Sequence, residues 1–566
     1  MKTQIKTLKI DLSNQETVIE LKSAQEASLE EKLGGFGKSV HDIERHLEKN
    51  PDLKDAYDQR NLLCFDIGCL TGSKVMTSRR TYVSSLAPLK TSRAGTNGIF
   101  YSAASGGLGP EIRGCGLDSI RITGKSENPV YLVIDKDNVY FEDARELVGK
   151  TTDEKIRILA DKYEKAAFAV IGPAGENLVR YANIAFSTHD QLKKKSKHMR
   201  FAGRGGMGAV MGSKNLLGMV VIGDKEKQEV GDVKNINREI AKGKRTSKYR
   251  EHGTFFGNIA KMEALKVGIH DNFSHGNDPE TQKLFKENVL SDGYEIVNKG
   301  CLGCPVKCWK EIEKDKKPLG KIDFEPGALL GPNLGINNIE HILELINLAD
   351  NFGLDSISAG VCLGYEMEKQ GRFGDFSFAK ELLEKIGRGE HGLKQGVMRY
   401  SDNAPNAMHV KGIEMAAYLG NFNPGYAFAI AGSHMSMDTY NRAWYPGAEN
   451  TIDEWVENIV RGPNMILYDM NGLCKFAKVG FEDVAELYER IYGEKISAED
   501  LKEVAKKVNL RARRIDCRQG FTQDDDVLPE KCYEDLGSNV PHFNTKEFFE
   551  QVKKRVYEEF AKFLLP

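Results

Sequence analysis

The chain has 566 residues, which predicts about three domains at roughly 100–200 residues each and excludes a mini-protein held by disulfide staples. Its 80 Lys and Arg balance 82 Asp and Glu for a formal net charge of −2, which argues against a general nucleic-acid binder. No apolar stretch approaches the roughly 18 residues of a membrane span, and the start, MKTQIKTLKIDLS, lacks the apolar core of a signal peptide; a cytoplasmic protein is expected, its ten cysteines being free thiols or metal ligands rather than disulfides.

Residues 5–11 alternate apolar and polar side chains, as a half-buried strand requires. Residues 129–134 and 139–141, separated by Asp-Lys-Asp-Asn, read as a hairpin. Glycine clusters at 34–37, 106–109 and 203–212 punctuate this part. The run Lys193-Lys194-Lys195 reads as a solvated loop. Beyond about residue 225, apolar residues recur at helical spacing: at 339–348 and 378–386, then at 482–492, 498–508 and 548–563. The expected fold is α+β. A β-rich domain over 1–220 precedes two mainly helical ones, over 221–420 and 421–566, with a site where the three meet.

Cys301-Leu-Gly-Cys304-Pro-Val-Lys-Cys308 places three thiols close enough to converge on one metal centre. Thiolates suit zinc or an iron–sulfur cluster. Zinc sites usually add a second C-x2-C or an H-x-x-x-H, and neither follows. A 4Fe–4S cluster needs four cysteines, one of which can be distant. The x2-then-x3 order also differs from the C-x3-C-x2-C triad of radical enzymes that use S-adenosylmethionine.

Residues 202–215, AGRGGMGAVMGSKN, pack five glycines between an alanine, an arginine and a lysine. Exposed N–H groups beside two cations make an anion nest. The bland alternative is a glycine-rich turn with solvated cations. Because so much glycine costs backbone entropy, phosphate contact is the favoured reading for Ala202, Gly203, Arg204, Gly205, Gly206, Gly208 and Lys214. Two further segments share the pattern D-x-x-G-L-[D/C]: Asp350, Gly353, Leu354 and Asp355 in one, Asp469, Gly472, Leu473 and Cys474 in the other. They read either as equivalent loops holding equivalent ligands or as two helix C-caps with left-handed glycine. The second ends in a cysteine able to complete the cluster.

Taken in order, these strings resemble the tungsten-containing aldehyde:ferredoxin oxidoreductase family. PEIRG at 110–114, IGPAGEN at 171–177, the glycine loop, the cysteine triplet, NLGIN at 333–337, the two aspartate loops and DDDVLP at 524–529 carry the likeness through to about residue 535. The resemblance implies a β-rich base on which a tungsten or molybdenum bis-pterin rests, with magnesium bridging the pterin phosphates. The two aspartate loops would hold the pterins. A 4Fe–4S cluster would be bound by Cys301, Cys304, Cys308 and Cys474. Arg80, with Arg79 as near alternative, would lie between cluster and pterin. Glu325 and His434 would be the acid–base pair near the metal.

Two departures stand out. The family asparagine that positions the magnesium falls on Ala104, leaving Ser105, Gly106 and nearby backbone. Residues 425–434 are more apolar than in aldehyde oxidisers. The expected activity is anaerobic oxidation of an aldehyde to a carboxylic acid, with electrons passed to ferredoxin or a small iron–sulfur subunit, in a homodimer or hetero-oligomer. The alternatives are a family-related reductase of aromatic acyl-CoA within a larger complex, and, from another class, a zinc-stabilised binding protein. Cys64, Cys69, Cys115, Cys362, Cys517 and Cys532 read as ordinary thiols.

Overall fold

The computed structural model describes residues 1–564 apart from 137, 195, 225–227, 419–421, 433–448 and 462–464. Two six-stranded sheets occupy its N-terminal part. The first contains β1 (Gln4–Asp11), β2 (Glu16–Ser23), β3 (Leu63–Ile67), β4 (Thr81–Thr91), β5 (Asn97–Ala104) and β6 (Ser119–Thr123), in the order β2-β1-β6-β3-β4-β5. Only β1 and β6 pair in parallel. In β4 every residue is buried, and Pro88, which cannot donate to a ladder, sits where the register shifts between Leu86 and Thr91.

The second sheet contains β7 (Val130–Asp135), β8 (Asn138–Asp143), β9 (Ala167–Ile171), β10 (Ile184–Phe186), β11 (Arg200–Ala202) and β12 (Leu216–Ile222), in the order β11-β10-β9-β12-β7-β8. The expected hairpin is β7–β8, paired from Val130↔Asp143 to Asp135↔Asn138. Strands β9 and β12 are almost wholly buried, and their unbroken apolar runs match that position.

The rest is mainly helical, so the α+β expectation holds. Helices Lys244–Leu265, Ile339–Phe352, Ser356–Gln370 and Phe376–Gly387 are followed by Met465–Asn471, Phe481–Tyr492, Ala498–Arg518 and Lys546–Leu564. This half also carries strands, among them a two-stranded pairing of His409–Val410 with Ile413–Glu414. Strands β13 (Glu295–Lys299), β14 (Trp309–Lys314) and β15 (Lys317–Ile322) form an antiparallel meander. Asp315 and Lys316 make its tight turn, with φ of 50° and 59°, the left-handed pair that a two-residue hairpin needs. That turn lacks the usual glycine, which hides the hairpin in the sequence. The cysteine loop is the connection between β13 and β14. No helix among the described residues is long and apolar enough to cross a membrane.

Candidate functional site

A cavity of about 360 Å³ lies where these parts meet. Strand ends β4 and β5, the segment after β15, and the two aspartate loops all reach it. Cys301, Cys304, Cys308 and Cys474 line it together. Three come from the β13–β14 loop, in which Gly303 takes φ 70° and the Cys304 N–H donates to the Cys301 carbonyl at 3.0 Å. The fourth follows helix Met465–Asn471, which ends at Gly472 with φ 92°. Cys517 is exposed, Cys532 is buried against Met415 at 3.6 Å, and neither lines the cavity.

The thiols sit among cations. Burial works against ionisation of Cys301, but Arg200, the Ser105 hydroxyl and Arg80 hold its thiol below the ordinary value. Ser105 Oγ is 2.8 Å and an Arg200 nitrogen 3.8 Å from Cys301 Sγ. Burial, with Cys301 and Cys474 nearby, pushes the Cys304 thiol up to about 12. Arg80 Nη2 donates to Cys474 Sγ at 3.2 Å and Nη1 to the Ala103 carbonyl at 3.3 Å. Arg79 also lines the cavity, but its Nε donates to the Gly106 carbonyl at 3.2 Å. Gly106 itself faces a smaller depression on the outer side.

The two aspartate loops are built alike. Each glycine ends a helix at positive φ, as in a C-cap. Each loop is then tied to the N-terminal sheets. Asn183 N donates to the Gly353 carbonyl at 2.8 Å and Asp355 N to the Tyr181 carbonyl at 2.9 Å. In the second loop, Leu70 N donates to the Asn471 carbonyl at 3.0 Å and Arg80 N to the Gly472 carbonyl at 3.3 Å. The aspartates differ. Asp350 lines the cavity and pairs with Lys321 at 2.8 Å; Asp469 accepts from the Tyr101 hydroxyl at 2.7 Å. Asp355 caps helix Ser356–Gln370, accepting from Ile357 N and Ser358 Oγ. Leu354 and Leu473 are buried beneath their loops.

The glycine loop reaches the site only at its start. Helix Met207–Ser213 packs so closely that a Cβ on Gly206, at φ 86°, would lie 1.9 Å from the Arg180 carbonyl oxygen, and one on Gly208 2.2 Å from that of Asn183. A Cβ on Gly205 would lie 2.4 Å from the Phe100 ring. Close packing alone requires glycine at 205, 206 and 208. Lys214 is 1% exposed and donates to the Gln59 and Gly124 carbonyls, away from the cavity; burial lowers its ammonium to about 7. Only the start of the loop faces the site. Arg204 lines the cavity, and a Cβ on Gly203 would meet nothing nearer than Asp355 Oδ1 at 3.9 Å. Gly206→Ala is expected to cost about 3 kcal/mol or more of stability, whereas Gly203→Ala leaves the melting temperature within about 2 °C; thermal unfolding of both variants checks this.

Glu325 opens the helix Phe324–Leu329 at the cavity wall. Burial raises its carboxyl to about 7, against the pull of the Ala417 N–H, which donates at 2.7 Å, and of Arg204. Phe324 and Tyr418 stand beside it with ring centroids 5.4 Å apart. His434 lies outside the described residues. Sequence reasoning missed Arg200, Lys321, Asp323 and Lys475, all on the cavity wall. Two of them sit directly beside recognised motifs, Lys475 after Cys474 and Arg200 just before the glycine loop, so adjacency was the available signal.

The donor set fits an iron–sulfur cluster and an anionic ligand. Four thiols share one space, and Arg204 Nε and Nη1 have no hydrogen-bond partner among the described residues, with Asp355 Oδ2 3.5 Å from Nε; anionic oxygens would satisfy such groups. For magnesium, Ala104 offers no side-chain oxygen and the Ser105 hydroxyl lies 2.8 Å from Cys301 Sγ, which leaves backbone carbonyls as the protein's oxygen donors there.

Comparison with known proteins bears on this site. The model for the N-terminal domain of aldehyde ferredoxin oxidoreductase matches residues 7–223, and that for its domains 2 and 3 matches residues 232–560. The chain belongs to the aldehyde ferredoxin oxidoreductase family and is an oxidoreductase. Among its relatives, the tungsten-containing aldehyde ferredoxin oxidoreductase of Pyrococcus horikoshii is 29% identical, over 94% of this chain and 91% of the relative. The WOR-like subunit of an aliphatic sulfonate oxidoreductase from Pyrococcus furiosus is 30% identical, over 98% of this chain and 93% of the relative. The active-site complex BamBC of benzoyl coenzyme A reductase shares the fold, with a TM-score of 0.75 at 20% identity, over 99% of this chain and 98% of that one.

Proposed function

We propose that the protein is a tungsten or molybdenum bis-pterin, 4Fe–4S oxidoreductase that oxidises an aldehyde to a carboxylic acid and passes the electrons to ferredoxin or a small iron–sulfur subunit. The observation that carries the reading is the convergence of four cysteines and a carboxyl near neutrality on one buried cavity. An aldehyde and water give a carboxylate, three protons and two electrons. The metal–pterin group would accept the electron pair, and the cluster would release it singly.

The residues supply the rest. Cys301, Cys304, Cys308 and Cys474 hold the cluster. Arg80, donating to Cys474 Sγ, ties the cluster to the pterin side. Arg204, with Lys321 and Lys475 on the same wall, neutralises anionic ligand groups, and the loops at Asp350–Asp355 and Asp469–Cys474 fix them in place. Glu325 Oε2 is oriented by the Ala417 N–H, leaving its other oxygen to take a proton from the attacking water or the substrate carbon. Residues 1–220, 221–420 and 421–566 are the proposed domains, and the cytoplasm the proposed location.

The test is metal analysis and assay of protein purified without air. Four iron atoms and one tungsten or molybdenum per chain, with viologen-linked aldehyde oxidation, are expected. Zinc alone on a colourless protein would sink the reading. Reduction of an aromatic acyl-CoA in place of aldehyde oxidation would move the protein to the reaction named for the benzoyl coenzyme A reductase complex, for which only the shared fold speaks.

A further inference from the structure

We propose that Tyr426 is a positioning residue for the reaction: its buried hydroxyl fixes the backbone over 414–417 and, through the Ala417 N–H, holds the Glu325 carboxyl in its working orientation. The inference rests on the acid–base role proposed above for Glu325 and adds what sets that role from outside the cavity.

Segment 414–417 lies behind Arg204 and Glu325, two residues of the cavity wall, and is held at three points. Glu414 Oε1 accepts from Val397 N at 2.9 Å, and the Glu414 carbonyl accepts from Arg204 Nη2. Ala416 N donates to the Tyr426 hydroxyl at 3.1 Å. Ala417 N donates to Glu325 Oε2 at 2.7 Å. The two alanine amides are consecutive, so a hydroxyl that fixes one peptide plane also aims the next. Tyr426 is 1% exposed and does not line the cavity; its hydroxyl stands 3.5 Å from the Glu414 carbonyl oxygen. It therefore acts on Glu325 through the chain between them.

An ion network remote from the cavity makes Tyr426 a firm anchor. The side chains of 427–431, Ala-Phe-Ala-Ile-Ala, offer no charged handle, and the chain is gripped by its carbonyls instead. Lys411 Nζ donates to the Ala427 carbonyl, Arg513 Nη1 approaches that of Phe428 at 3.5 Å, and Lys90 Nζ donates to that of Ile430 at 2.9 Å. Asp526 pairs with Lys411 at 2.6 Å and with Arg513, and Asp516 pairs with Lys90 at 2.6 Å. All five charged side chains are buried, and none lines the cavity. Buried ion pairs are a poor source of net stability; these supply three fixed carbonyls directly after Tyr426.

Glu325 is sensitive to that hold. Burial raises its carboxyl to about 7; the Ala417 N–H opposes this first, then Arg204 and Lys475, while Asp355 acts with burial and Tyr418 stands within electrostatic reach. A donated N–H favours the ionised carboxylate. A looser Ala417 therefore raises the carboxyl further and leaves less base at a given pH.

The test is Tyr426→Phe in the full-length holoprotein. Tyr488→Phe serves as control, since Tyr488 is also buried and its hydroxyl donates to Glu494 at 3.1 Å. Tyr426→Phe is expected to move the acidic limb of kcat up by roughly one pH unit, which is about a tenfold loss near pH 6 that closes above about pH 9. Iron content and visible spectrum should not change. In the Glu325→Gln background the same substitution should cost less than about twofold, because the two residues act as a unit. The infrared carbonyl band of protonated Glu325, identified by its absence in Glu325→Gln, can be titrated in resting protein without substrate. Its midpoint should move with the limb, and this holds even if the substrate is not an aldehyde. An unmoved midpoint, or a loss equal at every pH, would overturn the proposal. If the Phe variant fails to fold, hydrogen exchange in the wild type decides: amides of 414–418 protected as well as the core are expected, and fast exchange there would overturn the positioning role.

Discussion

Cys474→Ser protein is expected to lose its brown colour, most of its iron and, with them, more than 99% of its electron transfer to either viologen or ferredoxin. The reason is positional. Cys474 is brought to the triplet from 166 residues along the chain by a single helix end, and the structure offers no substitute, since Cys517 is exposed and Cys532 is buried against Met415. Serine keeps the volume but is a hard, poorly acidic ligand where a soft thiolate is needed. The loss would extend past the cluster, because Arg80 Nη2 donates to Cys474 Sγ at 3.2 Å and would lose that charge-assisted hydrogen bond. Iron quantitation, the visible spectrum and a Cys517→Ser control read the result. Full iron with an unchanged spectrum in the Cys474→Ser protein would remove Cys474 from the ligand set.

The legible parts of this protein were those in which chemistry dictates local spacing. Three thiols within eight residues and two glycine-ended aspartate loops are short-range patterns, and the structure brings them to one wall. The β7–β8 hairpin was readable from alternation and turn residues. What stayed hidden depends on neighbours distant in sequence. The meander that carries the cysteine loop turns at Asp315 and Lys316, which take left-handed φ without glycine. The packing partners of the glycines at 205–208, Arg180, Asn183 and Phe100, are invisible from the loop itself. Lys214 reads as a phosphate ligand from the loop alone, yet its ammonium donates to the Gln59 and Gly124 carbonyls. Lys321 carried no motif at all; only its pairing with Asp350 places it.

Glu325→Gln is expected to lower aldehyde oxidation by about 10²–10⁴ while leaving iron content and visible spectrum intact. The amide still accepts from the Ala417 N–H, so the helix start is kept and only proton transfer is removed. The wild-type carboxyl, raised to about 7 by burial against the pull of Ala417 and Arg204, gives the pH dependence a definite sign. As a base it must be ionised, so kcat should climb through pH 7 and level above it, and this acidic limb should vanish in the variant. Stability runs the other way. A carboxyl whose folded value lies above the ordinary 4.5 stabilises the fold while both states are protonated. That contribution is lost between about 4.5 and 7 as the unfolded chain ionises first. Above pH 7 the Gln variant should therefore melt higher than the wild type, and below pH 4.5 the two should converge. An intact acidic limb in the variant would assign the titration to another group, and undiminished turnover would show that Glu325 takes no part in moving the proton.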